Sequence, residues 1–93
     1  MKMSYLSIDQ VATGKKIRDI RRAKGLKVTD ISDYMGFENP QAVYKWQRGE
    51  SMPDLANLIR LLNLFEIRDI REILVLTGDG EEPSPYQFIK LMF

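Results

Sequence analysis

The segment from Asn39 to Gly49 has the clearest helix boundaries in this sequence. Asn39 is a favoured residue for capping the start of a helix, and Pro40 suits the first helical position. Gly49 suits the stop, because many helices end on a glycine in the left-handed conformation. The sequence therefore predicts a short helix over residues 39–48.

The predicted helix has two distinct faces. At about 100° per residue, Val43 and Trp46 lie together on one side and are expected to be buried. The opposite side holds four polar residues within one arc: Gln41, Tyr44, Lys45 and Arg48. All four can donate hydrogen bonds and none is negative, so the face suits a DNA major groove. The alternative is the ordinary solvent-facing side of an amphipathic helix.

Two further helices are expected before this one. The first begins at a Thr13 cap, with Asp9 as an earlier alternative, and ends at Gly25. The second is short and ends at Gly36. Its apolar residues recur at three- and four-residue spacing: Val28, Ile31, Tyr34 and Met35. Two short helices around a small turn residue such as Gly36 are typical of a helix-turn-helix.

Two more helices are expected after it. Pro53 and Asp54 open a fourth helix, with Asp54 as its cap. Its buried stripe is expected to be Leu55, Leu58, Ile59 and Leu62. A fifth helix is predicted from about Ile67 to Val75.

The chain is thus expected to be all-α, with a five-helix domain over residues 13–76 and short extensions at both ends. Residues 1–12 form the N-terminal extension, whose strand-like start leaves a pairing between the termini open. Residues 77–93 form an acidic, turn-rich linker and an apolar tail. Such a tail is expected either to pack on the domain or to meet another chain.

Composition excludes several classes of function. With no cysteine and no histidine, the chain lacks thiolate nucleophiles, imidazole bases and the usual zinc ligands, so we expect neither an enzyme nor a cofactor. No apolar run approaches the roughly 18 residues that span a membrane, and the start does not resemble a signal peptide. We therefore expect a cytoplasmic protein with no membrane partner.

Positive charge is concentrated in the first helix and just after it: Lys15, Lys16, Arg18, Arg21, Arg22, Lys24 and Lys27. A basic segment of this kind fits a surface that faces a polyanion. It also fits a solvated helix face, and charge alone does not separate the two.

Together these features resemble the lambda-repressor/Cro-like helix-turn-helix family. The resemblance is carried by residues 17–26, 31–36, 43–49 and 51–55, in matching order and spacing. It implies a five-helix bundle that inserts its third helix in the major groove, commonly as a homodimer on repeated half-sites of double-stranded DNA.

The resemblance also implies roles for individual residues. Gln41 is expected to contact an adenine base. Lys45 is expected to contact either a guanine base or a phosphate. Tyr44 is expected to touch a thymine methyl or a phosphate. Phosphate contacts are expected from Lys27, Arg48 and Arg18, with Arg18 ranked lower. Asn39 is expected to serve as a helix cap, a phosphate ligand, or both.

The sequence departs from the family in three places. Lys27 and Val28 stand where the family usually has Ser or Thr followed by Gln, the latter a phosphate anchor. The turn after Gly36 is one residue longer than usual. Gln47 replaces a frequent Glu that pairs with an Arg matching Arg21, so an Arg–Gln hydrogen bond is expected instead.

We therefore predict a sequence-specific transcriptional regulator that acts as a repressor. The alternative is an antitoxin-type module that binds a toxin through residues 84–93, an activity compatible with DNA binding. A nucleic-acid enzyme that binds magnesium through clustered carboxylates is disfavoured, because the carboxylates form no compact set. A ligand sensor is disfavoured because the tail is too short to build a pocket.

Overall fold

The structure is a computed structural model that describes residues 6–77. This part of the chain is mostly helical, as expected, but holds four α-helices where five were predicted. They are α1 (Gln10–Ala23), α2 (Val28–Met35), α3 (Gln41–Arg48) and α4 (Leu55–Phe65). A single turn of 3₁₀-helix (Ile70–Glu72) and two short strands, β1 (Ser7–Ile8) and β2 (Leu76–Thr77), complete it.

The first helix is capped by Asp9 and not by Thr13. The Asp9 carboxylate accepts a hydrogen bond from the Ala12 N–H at 3.0 Å, so the earlier of the two alternative caps is the correct one. Thr13 lies inside α1 and is fully buried. Its hydroxyl accepts a hydrogen bond from the Val75 N–H at 3.0 Å and so ties the first helix to the end of the domain.

The ends of α2 and α3 confirm the predicted stops. Gly36 and Gly49 both adopt left-handed backbone conformations, with φ of 78° and 75°. Because a side chain would be strained there, glycine is the residue that lets each helix stop and turn within one position.

The fourth helix is capped as expected but buries a different face. The Asp54 carboxylate accepts from the Asn57 N–H at 2.8 Å. Leu58, Leu61 and Phe65 are buried in α4. Leu55 and Ile59 are 69% and 56% exposed, so their assignment to the buried stripe was wrong. The apolar side of α4 is wider than the core can cover.

The predicted fifth helix was also wrong, since residues 67–75 contain only the 3₁₀ turn. The chain that follows this segment is extended and pairs with the start of the chain: Ser7 lies opposite Thr77, and Ile8 opposite Leu76, in an antiparallel ladder. The Asp9 N–H donates to the Val75 carbonyl at 2.8 Å. A fifth helix over residues 67–75 is therefore absent, and the strand-like start of the chain pairs with Leu76 and Thr77. Whether it also pairs with the apolar tail stays a prediction, because residues 78–93 lie outside the described residues.

One core joins these elements, with Ile17, Ile31, Val43, Leu61, Phe65 and Ile73 completely buried. The linker and tail beyond Thr77 lie outside the described residues, as do the first five positions. The expectations for residues 84–93, including the antitoxin alternative, therefore stay predictions.

Candidate nucleic-acid interface

The two faces of α3 are oriented as the sequence predicted. Val43 and Trp46 are 0% and 4% exposed and pack in the core. Gln41 and Lys45 are exposed, and Tyr44 is 41% exposed. An amide, a phenol and an ammonium group are thus presented to solvent by a helix that is anchored by its indole.

The helix is held in place by a close approach to α1. A Cβ atom at Gly14 would overlap the carbonyl oxygen of Trp46 and lie 2.9 Å from that of Gln47. Only glycine lets the two backbones come this close. Just after these residues, where α3 ends, a Cβ at Gly49 would lie 2.7 Å from the Cα of Val11 at the start of α1. The position of α3 is therefore fixed by backbone contacts as well as by side chains.

A hydrogen bond between side chains braces the same contact. Arg21 donates from Nε to Oε1 of Gln47 at 2.9 Å and from Nη1 to the Leu26 carbonyl at 2.8 Å. This confirms the expected Arg–Gln pair, which here joins α1, α3 and the loop before α2. The bond orients Gln47 on the edge of α3, next to the exposed face.

The turn before α3 differs slightly from expectation. The helix starts at Gln41 with Pro40 in the capping position. It therefore begins one residue later than predicted, where Asn39 was the expected cap and Pro40 the expected first helical residue. Asn39 still acts like a cap, because its Oδ1 accepts from the Gln41 N–H at 3.0 Å. The Ser32 hydroxyl donates to the Asn39 carbonyl at 3.0 Å and secures the turn to α2.

A basic cleft lies beside the exposed face of α3. This basic cleft is an open depression of about 420 Å³ lined by Arg18, Arg21, Arg22, Leu26, Lys27, Val28, Thr29, Tyr44 and Gln47. It holds four cations and no carboxylate among its lining residues. Three residues expected to contact DNA (Arg18, Lys27 and Tyr44) therefore meet in one place.

Two polar residues of the cleft were not singled out by sequence reasoning. Arg22 was noted only as part of the basic segment, and no sequence pattern pointed to Thr29. The cleft forms where α1 turns toward α2, and this arrangement of two helices cannot be read from the spacing of residues along the chain. Arg18 has a buried Nε atom with no hydrogen-bond partner among the described residues. Its guanidinium lies 3.8 Å from Asp19.

Arg48, at the end of α3, is paired within the protein. Its Nη2 donates to Oε2 of Glu50 at 2.8 Å. This hydrogen bond raises the pKa of Arg48 and lowers the pKa of Glu50. The nearby positive charge of Lys45 also lowers the pKa of Glu50. Arg48 thus differs from Lys45, which has no ion pair among residues 6–77.

Residues 6–77 contain no cluster of three or more His, Cys, Asp or Glu side chains that could hold a metal ion. Within the same residues, no helix is both long and apolar enough to cross a membrane.

The helix-turn-helix family profile matches residues 17–73, which include α2, α3 and all but the start of α1. The chain belongs to the lambda-repressor/Cro-like helix-turn-helix family. As a member of this family it is a DNA-binding transcriptional regulator and not an enzyme.

Solved structures agree with this helix-turn-helix assignment. The restriction-modification controller protein C.AhdI from Aeromonas hydrophila is similar over 70% of this chain and 96% of its own, with 29% identity and a TM-score of 0.62. The DNA-binding domain of BldD matches over 71% of this chain and 93% of its own, at 21% identity and a TM-score of 0.59.

A transcriptional regulator from Listeria innocua matches over 86% of this chain and 71% of its own, at 22% identity and a TM-score of 0.61. At these identities, BldD and the Listeria protein show the shared fold alone. Among proteins of curated function, none matches the sequence.

Proposed function

We propose that the protein is a sequence-specific repressor that reads the DNA major groove with α3. One observation carries the proposal: Gln41, Tyr44 and Lys45 are exposed on the face opposite the buried Val43 and Trp46. The likeness to a restriction-modification controller protein supports a role in controlling transcription.

Base readout is assigned to the start and middle of α3. Gln41 occupies the first turn, where a helix entering the major groove brings side chains to base edges. Its amide can pair with N6 and N7 of adenine. Lys45 lies one turn further on and can donate to guanine, and Tyr44 lies beside it at the rim of the basic cleft.

Phosphate binding is assigned chiefly to the basic cleft. Lys27 and Arg18 line it together with Tyr44, so a phosphate group resting there meets cations from α1 and from the start of α2. Asn39 lies at the start of α3, where helix N–H groups favour an anion. Arg48, the remaining expected phosphate contact, is occupied by Glu50.

We also propose that the protein binds DNA as a homodimer. Leu55 and Ile59 lie one turn apart on α4 and leave an apolar strip in solvent. A second copy is the proposed occupant of this strip, and the half-sites of such a dimer are expected to lie about 34 Å apart, or a multiple of that distance.

Selection of bound sequences from a random DNA pool, at a fixed salt concentration, tests the proposed reading directly. Gln41→Ala is expected to lose preference at one base position per half-site and to keep affinity for random duplex. Gln10→Ala, which removes an exposed amide at the start of α1, is the matched control and should keep the full preference. An equal loss of affinity for every sequence in Gln41→Ala contradicts base readout by Gln41.

Salt titration separates phosphate contacts from base contacts. Lys27→Ala and Lys45→Ala are each expected to flatten the plot of log affinity against log salt by about 0.9 for every phosphate that the variant no longer neutralises. Lys16→Ala, whose side chain lies in a depression with Ile67 and Glu72 away from the cleft, is the charge-matched control. A slope equal to that of wild type shows that the substituted lysine does not bind a phosphate.

Sedimentation tests the dimer. Leu55→Ser combined with Ile59→Ser is expected to weaken self-association, whereas Leu55→Ile with Ile59→Leu keeps the apolar strip and serves as the control. Deletion of residues 84–93 tests the tail, which the sequence also predicts to support self-association. Unchanged association in the serine variant rules out the α4 strip as the interface.

A further inference from the structure

The turn that ends α3 brings a carboxylate back onto the end of the helix. Because Gly49 is left-handed, the chain reverses at once, and the Glu50 N–H donates to the Lys45 carbonyl at 2.9 Å. Glu50 therefore lies over the last turn of α3, next to the residues proposed to meet DNA.

The side chain of Glu50 engages the cation at that end. Its Oε2 accepts from Nη2 of Arg48 at 2.8 Å, and both side chains are 53% exposed. An exposed pair of this kind adds little to the stability of a fold. Its larger effect is electrostatic, because it cancels one positive charge at the edge of a surface that faces a polyanion.

We propose that Glu50 is an internal competitor for DNA phosphate, which occupies Arg48 and lowers affinity for every DNA sequence alike. The inference rests on the proposed DNA-reading function. Since phosphate contacts carry no sequence information, the competitor leaves the ratio of specific to nonspecific affinity unchanged. It reduces the amount of protein held on nonspecific DNA.

Neutralising Glu50 should release Arg48 for a phosphate. One added phosphate contact steepens the salt slope by about 0.9, which corresponds to roughly eightfold tighter binding at about 0.1 M salt than without that contact. We expect Glu50→Gln to show this gain on random duplex and on a selected operator. Glu66→Gln removes an exposed carboxylate at the end of α4 and controls for the change in net charge.

A double variant makes the test specific to the ion pair. If Arg48 and Glu50 cancel each other, Arg48→Ala combined with Glu50→Gln should bind with the affinity and salt slope of wild type. A double variant whose slope is flatter than wild type by about 0.9 shows that Arg48 already contacts phosphate, and this overturns the proposal. Equal behaviour of Glu50→Gln and Glu66→Gln overturns it as well.

The three variants and wild type are then compared by the salt concentration that elutes them from heparin, a polyanion without bases. Later elution of Glu50→Gln alone supports the competitor even if the selection experiment finds no sequence preference. In that case only the proposed base reading fails. Because all the altered side chains are exposed, thermal unfolding should show the same fold in every variant.

Discussion

Replacing Gly14 with alanine tests how the reading helix is positioned. The added methyl group would overlap the Trp46 carbonyl oxygen and lie 2.9 Å from the Gln47 carbonyl oxygen, closer than real Cβ contacts. Both atoms belong to the backbone of α3, so no side-chain rotation can relieve the overlap. α1 and α3 must therefore move apart.

The size of the effect follows from two opposing terms. At an open helical site, Gly→Ala stabilises by about 1 kcal/mol. Overpacking at a tight contact costs about 1–3 kcal/mol and occasionally more. Because this overlap is with backbone, we expect a cost at or above the upper end and a net loss of roughly 2 kcal/mol. For a domain of this size, that lowers the melting temperature by about 8–16 °C.

Urea unfolding followed by fluorescence measures this loss, since Trp46 is the only tryptophan, its side chain is buried in the core, and its backbone carbonyl approaches Gly14. Lys15→Ala is the control: its exposed side chain neighbours Gly14, and we expect a change within about 0.5 kcal/mol. A Gly14→Ala protein as stable as wild type, with the same affinity for DNA, refutes the argument that this contact fixes α3.

Other substitutions probe the remaining contacts. Thr13→Val keeps the side-chain volume but leaves the Val75 N–H without its acceptor, so calorimetry should show a loss of about 1–3 kcal/mol; an unchanged melting temperature contradicts this. Gln47→Ala removes the acceptor of Arg21 and should cost about 1 kcal/mol in urea unfolding, while Gln47→Glu should retain the stability; equal stability of both variants contradicts the role of this bond. Because the chain has no histidine and the pKa of Glu50 is lowered, DNA affinity should stay constant from about pH 6 to pH 7, and a marked change over that range argues against this assignment of charges.

Local signals predicted the helical elements well where they depend on near neighbours. Asp54 caps α4, and Gly36 and Gly49 end their helices, because capping and left-handed turns are decided within a few residues. The split between Trp46 and Gln41 on α3 followed from helical periodicity alone. The Arg21–Gln47 bond came from the family resemblance.

The short helices, their stops and the outward-facing residues of α3 follow from local sequence patterns, since these features depend on spacing along one element. Which apolar side chains are buried in the core depends on the tertiary structure. Leu55 and Ile59 have the same periodicity as buried residues but face solvent. Residues 67–75 contain only a 3₁₀ turn, and the chain then pairs through Leu76 and Thr77 with Ser7 and Ile8, about 70 positions earlier in the sequence. Tertiary structure also assembled the basic cleft and set Glu50 against Arg48, because distances between elements are not encoded in any single pattern.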